Sequence, residues 1–200
     1  MAKPLHALVF DFDGTLTRPG SLDFDAIRQT IGAPAGMPIL EHIATLAPGK
    51  PYAQAHRILE QFEMEAAERS QPNTGAEHLM AFLKSQKIKL GILTRNSLKS
   101  VSRALLNFRK LRESDFDAII TRHDNARPKP HPDGVLLAAK KLGVTPDAML
   151  VVGDYVFDIE AGRLAGTRTA FLVSAATKRF PDPPADWTLK ALEELQLLFK

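Results

Sequence analysis

Short apolar runs alternate with helix-like stretches, and this alternation constrains the fold more than any other feature of the 200 residues. Each run has the length of a buried strand and is bounded by glycine or polar residues. The five runs are Ala7 to Phe12, Lys89 to Thr94, Ala118 to Thr121, Met149 to Gly153 and Arg168 to Val173. Strands separated by helices predict an α/β fold, with a Rossmann-like parallel sheet flanked by helices on both faces.

Helical periodicity fills the stretches before and between the later runs. These stretches are residues 75–87, 97–108, 132–142 and 157–165. Ser97 precedes the second stretch, where its hydroxyl can act as an N-cap. After Ser174 a proline-rich loop leads to Trp187, which we expect in the core, and then to an amphipathic helix over residues 192–199.

One connection is far longer than a strand-to-helix loop needs to be. Between the first run and the helix that starts near Gly75, about sixty residues are in excess. Helical patterns cover residues 23–31, 38–46 and 51–69, the last with Ile58, Phe62 and Glu65 in its repeat. We therefore predict a helical domain of residues 18–74, called the insert below, within a core domain of residues 1–17 and 75–200. The alternative is a helical decoration without a role in catalysis.

Two carboxylates, Asp11 and Asp13, follow the first apolar run directly and precede Gly14. Residues two apart on an extended chain point the same way, so we expect both acids together at the carboxyl end of the first strand. Buried carboxylates side by side repel each other and are costly to desolvate. The pair therefore predicts a bound cation or a catalytic task. The alternative is a surface turn that caps the strand.

Polar residues also follow the second predicted strand and fill a later loop, as expected for open α/β sheets, which bind ligands at their strand ends. Thr94, Arg95 and Asn96 end the second run and precede a helix, a position suited to holding a phosphate. Arg95 contacts the substrate or, alternatively, is an ordinary surface residue. Lys129 lies in Arg-Pro-Lys-Pro-His-Pro at residues 127–132, where the prolines favour a stiff, extended backbone that aims its side chain.

A glycine and two acids mark the end of the fourth run. Gly153 allows a close approach of the backbone, and Asp154 emerges at the strand end. If a helix begins at once, Asp158 lies one turn further on and faces the same side.

These segments resemble, in order, the four motifs of the haloacid dehalogenase (HAD) superfamily of phosphohydrolases. They extend over about 180 residues, and the insert lies where that family has a helical cap of the C1 type. The chain is most similar to phosphoglycolate-phosphatase-like members. The resemblance implies a HAD-like core domain with a small helical cap inserted after strand one.

The resemblance also implies a role for each matching residue. Asp11 would be the nucleophile that becomes an aspartyl phosphate, and Asp13 the general acid and base. Thr94 would bind phosphate, and Lys129 would neutralise both nucleophile and phosphate. Gly14, Arg95 and Asn96 are further candidates for the phosphate or substrate site, although the family motif does not fix the last two.

The charge at these strand ends predicts a metal ion. Asp11, Asp13, Asp154 and Asp158 bring about four negative charges together, a phosphate adds more, and Lys129 offsets one, so a divalent cation is required. All the available ligands are oxygens, which selects Mg²⁺ over zinc. We predict Asp11, the backbone carbonyl of Asp13, and Asp154 as its ligands. Asp158 would act through water or by holding Lys129.

The predicted function is Mg²⁺-dependent hydrolysis of a small phosphorylated metabolite. A phosphosugar mutase of the same fold and a non-catalytic HAD-like binding protein are the alternatives. Two other family activities are disfavoured, because dehalogenases lack the second acid and phosphonoacetaldehyde hydrolases need a lysine in the cap, where residues 22–72 contain only Lys50. Polar candidates for substrate selection in or beside the insert are Arg18, Arg28, His42, His56 and Arg57.

Composition limits the partners. The net charge is +3, and the lysines and arginines are scattered, so we expect no nucleic-acid partner. No stretch approaches the ~18 apolar residues that a membrane span requires, the N-terminus lacks an apolar signal region, and there is no cysteine. We expect a cytoplasmic protein that is a monomer or weak homodimer without a membrane partner.

Overall fold

A parallel sheet of six strands lies at the centre of the computed structural model, which describes residues 3–199. The strands are β1 (Ala7–Phe10), β2 (Lys89–Leu93), β3 (Ala118–Ile120), β4 (Met149–Gly153), β5 (Arg168–Leu172) and β6 (Trp187–Leu189). Their order is β3-β2-β1-β4-β5-β6, and every neighbouring pair is parallel. The predicted α/β class is therefore confirmed. The edge strand β6, where Trp187 is only partly buried, was not predicted.

Seven α-helices accompany the sheet among the described residues. They are α1 (Phe24–Ile31), α2 (Ile39–Thr45), α3 (Lys50–Arg69), α4 (Ala76–Ser85), α5 (Leu98–Leu105), α6 (Asp133–Leu142) and α7 (Val156–Leu164). Ser97 is the N-cap of α5, where its hydroxyl accepts a hydrogen bond from the backbone N–H of Ser100. The predicted C-terminal helix is a 3₁₀ helix at Leu192–Phe199.

Both faces of the sheet are buried. Along β1, Leu8 and Phe10 face the hydrophobic cluster under α4, α5 and the C-terminal 3₁₀ helix, while Ala7 and Val9 face the cluster under α6 and α7. This alternation is the period-two pattern of a strand. Since all strands run in one direction, their carboxyl ends meet at a single edge, which positions the site described below.

The insert contains α1, α2 and α3 and has a hydrophobic cluster of its own, formed by Ile27, Ile39, Ile43, Ala55 and Leu59. Its entry and exit run side by side. The backbone N–H of Arg18 donates to the carbonyl of Gln71 at 2.9 Å, and the N–H of Asn73 donates to the carbonyl of Leu16 at 2.8 Å. The chain thus leaves the core and returns to it at one point.

The second half of α3 packs on the core. Ala67 belongs to the core cluster, and the side-chain amide of Asn107 donates to the carbonyls of Ala67 and Ser70 at 2.8 and 2.9 Å. The expected repeat of Ile58, Phe62 and Glu65 was wrong for Glu65, which is exposed. The buried face of this half of α3 carries Glu63, Ala66 and Ala67. The domain boundary near residue 74 stays a prediction.

None of the helices in residues 3–199 combines the length and the apolar character that crossing a bilayer requires.

Candidate active site

The first acidic residue of the site leaves β1 directly. The backbone N–H of Asp11 donates to the carbonyl of Val152 at 2.8 Å, which extends the pairing of β1 with β4 by one residue. The chain then forms a single wide turn over Phe12–Leu16. The strand therefore ends two residues earlier than predicted, and Asp13 lies in the turn rather than on an extended strand.

Gly14 is required by this turn for two reasons. Its φ of +84° is a backbone conformation that favours glycine, and a Cβ there would lie 2.2 Å from Oδ2 of Asp154. The turn thus lets the backbone after β1 approach the acid that follows β4.

Lys129 lies at the centre of the acidic cluster, with a side chain that is 4% exposed. Its ammonium group donates to Oδ1 of Asp11 at 2.5 Å and to Oδ1 of Asp158 at 2.5 Å. It also donates to the carbonyl of Leu93 at 2.8 Å, so all three of its protons are used. Burial alone would lower the pKa of Lys129, but the two carboxylates outweigh burial and raise it. Lys129 is therefore a fixed positive charge beside Asp11.

Asp154 and Asp158 are held in different ways. Oδ1 of Asp154 accepts a hydrogen bond from the hydroxyl of Thr15 at 3.2 Å. Burial and the neighbouring charge of Asp158 raise the pKa of Asp154 to about 7. Both oxygens of Asp158 are engaged, Oδ1 by Lys129 and Oδ2 by the backbone N–H of Tyr155 at 3.0 Å. Asp158 thus holds Lys129, as one of the two sequence hypotheses proposed.

Carboxylate oxygens of Asp11, Asp154 and Asp158 lie within 4.8 Å of one another. Burial is also the main reason that the pKa of Asp11 is raised well above its ordinary value, as expected for a carboxylate whose negative charge lacks full compensation. Oxygen donors at this spacing fit a hard divalent cation. Asp158 is already engaged on both oxygens, so Asp11 and Asp154 are the candidate side-chain ligands. The part of the Asp13 carbonyl stays a prediction.

Asn96 contacts the second acid of the site. Its side-chain amide donates to Oδ2 of Asp13 at 2.5 Å, while the hydroxyl of Thr17 lies 3.4 Å from Oδ1 of the same carboxylate. Burial raises the pKa of Asp13, and the nearby Glu63 carboxylate adds to this, against the two hydrogen bonds. We predicted a phosphate contact for Asn96. That contact stays a prediction, and the structure shows in addition a hydrogen bond from Asn96 to Asp13.

Thr94 and Arg95 follow β2 but point to different partners. Thr94 is buried, and its hydroxyl accepts the backbone N–H of Asn96 at 3.2 Å. Arg95 donates to both carboxylate oxygens of Glu41 on α2 and to the carbonyl of Lys129. Arg95 thus connects the insert to the core, and substrate binding by Arg95 stays a prediction.

A haloacid dehalogenase-like hydrolase family model matches residues 5–166 of this chain, a range that contains every residue of the acidic cluster. The chain belongs to the haloacid dehalogenase-like hydrolase family. The predicted enzyme class, a hydrolase, and the superfamily resemblance are therefore confirmed.

Relatives of this hydrolase occur in a yeast and in bacteria. An uncharacterized hydrolase of Saccharomyces cerevisiae is 38% identical over 172 residues, 85% of this chain and 78% of the yeast protein. The N-acetylmuramic acid 6-phosphate phosphatase of Pseudomonas aeruginosa is 29% identical over 205 residues, 92% of this chain and 88% of that protein. The crystal structure of a predicted phosphoglycolate phosphatase from Haemophilus somnus superposes with a TM-score of 0.75 at 19% identity and covers 98% of each chain, which shows a shared fold.

Between the insert and the core, the hydrolase has a cavity of about 770 Å³. Tyr52 and His56 line it from α3, and Arg122 and His131 line it from the core. Of the polar candidates predicted in the insert, His56 borders this cavity, whereas Arg28 pairs with Asp25 on the surface of α1.

Sequence reasoning missed Glu63 on α3. Its side chain is 1% exposed and pairs with Arg122, whose side chain is 3% exposed. The carboxylate also accepts the backbone N–H of Ser97 at 3.1 Å and lies 3.3 Å from the hydroxyl of Ser100. A glutamate on a helix normally indicates an exposed face, so no local signal in the sequence marks this contact.

Proposed function

We propose that this hydrolase is a Mg²⁺-dependent phosphatase that removes phosphate from a small phosphorylated metabolite through an aspartyl phosphate on Asp11. The observation that carries the proposal is the contact of Asp11 with Lys129 at 2.5 Å, beside Asp154 and at the end of a buried strand. A carboxylate held by a fixed ammonium group is positioned to attack an incoming phosphoryl group. Similarity to phosphatases such as the N-acetylmuramic acid 6-phosphate phosphatase of Pseudomonas aeruginosa supports the same class.

Asp11, the Asp13 carbonyl and Asp154 would hold the magnesium ion. When bound, the ion supplies positive charge for the phosphoryl oxygens in the transition state. The raised pKa values of Asp11 and Asp154 fit a cluster of acids that a cation completes.

The residues of the chain then divide the reaction between them. Asp11 attacks phosphorus, forming its own O–P bond as the bond to the leaving oxygen breaks. Asp13, whose pKa burial raises, carries a proton that it gives to this leaving oxygen. Asp13 next takes a proton from a water molecule that attacks the phosphorus of the aspartyl phosphate, which releases inorganic phosphate and restores Asp11.

Lys129 and Thr94 stabilise the charge that develops on the phosphoryl oxygens. The ammonium group of Lys129 is held by Asp158 and by the Leu93 carbonyl, so its positive charge stays beside Asp11 during the reaction. The loop of Thr94, Arg95 and Asn96 would border the phosphate.

A panel of phosphorylated metabolites, assayed with magnesium, with excess chelator and after magnesium is restored, tests the proposal. Phosphate release should require magnesium, and mass spectrometry of quenched turnover should find one phosphoryl group on the peptide that contains Asp11. Full activity in chelator would contradict the metal assignment. A hexose 1-phosphate among the substrates separates phosphatase from mutase, because a mutase would return a phosphosugar isomer.

Location and assembly are also proposals. We propose that the protein acts in the cytoplasm as a monomer or weak homodimer. Sedimentation at several concentrations tests the assembly.

A further inference from the structure

We propose that Glu63, a residue of the insert, is a positioning residue for the catalytic acid Asp13 and acts through Asn96. This inference rests on the proposed function, in which Asp13 is the general acid and base. It assigns part of the core chemistry to a helix outside the sheet that carries the site.

Every hydrogen-bond partner of the buried Glu63 carboxylate among the described residues belongs to the core. One oxygen accepts from the guanidinium of Arg122, and the other accepts from the backbone N–H of Ser97 at 3.1 Å. The hydroxyl of Ser100 lies 3.3 Å from that second oxygen. A buried carboxylate satisfied in this way has one geometry, since each lost contact would leave a desolvated charge.

The two oxygens of Glu63 contact the two residues that fix the backbone of Asn96, which are Ser97 and Arg122. Ser97 is the next residue along the chain, so the hydrogen bond to its N–H fixes the backbone just after Asn96. Arg122, held by the other oxygen, donates its own backbone N–H to the carbonyl of Asn96 at 3.1 Å. The backbone of Asn96 is therefore held by two neighbours that Glu63 joins.

The position of Asn96 in turn determines the orientation of the Asp13 carboxylate. Its side-chain amide donates to Oδ2 of Asp13 at 2.5 Å, and the other contact to that carboxylate, from Thr17, is long at 3.4 Å. A shift of Asn96 would thus change the direction in which Asp13 presents its proton. Misplacement of a reacting group by about 1 Å can cost on the order of 100-fold in rate.

The burial of the Glu63–Arg122 ion pair does not by itself indicate that its role is to stabilise the fold. A buried ion pair is weak evidence for stability, because the cost of desolvating both charges offsets much of their attraction. Glu60, one turn before Glu63 on the same helix, also pairs with α5, through Lys99 at 3.3 Å, but both of these side chains are exposed. The two glutamates therefore offer a matched pair, in which only Glu63 contacts the loop of Asn96.

The test compares Glu63→Gln with Glu60→Gln on two substrates. Protonation by Asp13 matters for an alkyl phosphate, whose leaving alkoxide is a strong base, and matters little for p-nitrophenyl phosphate. Glu63→Gln should lower kcat/KM for the alkyl phosphate by about tenfold or more, part of the roughly 10²- to 10⁴-fold that general acid catalysis contributes. On p-nitrophenyl phosphate the loss should stay below about threefold, and Glu60→Gln should match the unmodified protein on both substrates.

A second variant tests whether Glu63 acts on Asp13 through Asn96. Asn96→Ala should show the same preference for the better leaving group, and adding Glu63→Gln to Asn96→Ala should cause little further loss, because residues that act through one another are not additive. Additive losses would overturn the route through Asn96.

Equal losses on both substrates in a folded Glu63→Gln protein would show that Glu63 only supports the fold. If Glu63→Gln does not fold, Glu63→Met with Arg122→Met removes both buried charges, and the same difference between substrates is expected; its absence overturns the inference. Asp13→Asn is measured alongside. If the loss of kcat/KM in Asp13→Asn depends on the leaving group and the loss in the Glu63 variants does not, only the role of Glu63 is refuted. If the loss in Asp13→Asn does not depend on the leaving group, the assignment of Asp13 as the general acid is refuted as well.

Discussion

The carboxyl edge of the sheet and the insert contribute to the site through different kinds of contact. At the edge, short side chains follow directly from the ends of β1, β2 and β4, and Lys129 is held by three hydrogen bonds. The insert reaches the core through side chains on its own helices, and two of these contacts are the ion pairs Glu41–Arg95 and Glu63–Arg122. In the proposed function, the edge would bind the phosphate and the cation, and the insert would determine what surrounds them.

The insert itself contains a second contrast. The side chains of Glu41 and Arg95 are 35% and 21% exposed, whereas those of Glu63 and Arg122 are 1% and 3% exposed. Water can replace the first pair if α2 moves away, whereas the carboxylate of the second pair is buried between α3 and the core. We expect any opening of the insert to separate Glu41 from Arg95 and to leave Glu63 in place.

The largest effect should come from the nucleophile at the edge. Asp11→Asn keeps the shape of the side chain but removes its nucleophilic oxygen, so kcat should fall on the order of 10⁴- to 10⁶-fold on every substrate. Asp147→Asn, at an exposed acid paired with Lys3, is the control and should retain full activity. Substantial turnover by folded Asp11→Asn would refute the covalent mechanism.

The two ion pairs of the insert should differ in how much free energy of unfolding is lost when their glutamate is removed. Glu63→Ala leaves Arg122 buried without its partner and should lower the free energy of unfolding by about 3–5 kcal/mol. Glu41→Ala removes a half-exposed partner and should cost no more than about 1 kcal/mol. Urea unfolding monitored by circular dichroism measures both. Similar costs would mean that the difference in burial has no energetic consequence.

A third test concerns how closely the edge is packed. Gly14→Ala places a methyl group 2.2 Å from a carboxylate oxygen of Asp154, so Asp154 must move. The magnesium concentration for half-maximal activity should rise about 10- to 100-fold, the range found when groups that orient metal ligands are changed. Gly36→Ala is the matched control, because Gly36 has a similar φ of +79° with no atom within 4 Å. An unchanged magnesium requirement in Gly14→Ala would argue against Asp154 as a ligand.

The smallest effect should come from the insert side of the cavity. Tyr52→Ala removes an aromatic wall and should raise KM for the natural metabolite by about tenfold, the low end of what a lost apolar contact contributes to specificity. Activity on p-nitrophenyl phosphate, which needs only the edge, should stay within about twofold. If both substrates lose equally, the insert supports the fold and does not select the substrate.

The sequence was sufficient to predict what depends on local patterns. The alternation of apolar runs predicted five of the six strands, and the acids and the lysine at strand ends and in the proline-rich loop lie together as expected. The strand β6 was not predicted, because a strand of three residues has almost no detectable periodicity.

Contacts between distant residues could not be predicted. Glu63 and Arg122 are 59 residues apart, and nothing near either one in the sequence signals the other. A glutamate in a helical pattern favours solvent unless a partner offsets the cost of burial, and that partner is visible only in three dimensions. The same holds for Arg95, whose pairing with Glu41 depends on how the insert packs on the core.

The adjacent entry and exit of the insert have an evolutionary consequence. The segments that enter and leave the insert are joined by the hydrogen bonds of Arg18 with Gln71 and of Asn73 with Leu16, so the number of residues between these points does not affect the sheet. A lineage can lengthen, shorten or exchange α1 and α2 while the sheet and its carboxyl edge stay unchanged. The part of α3 from Glu63 onward packs on the core, and such an exchange has to keep it.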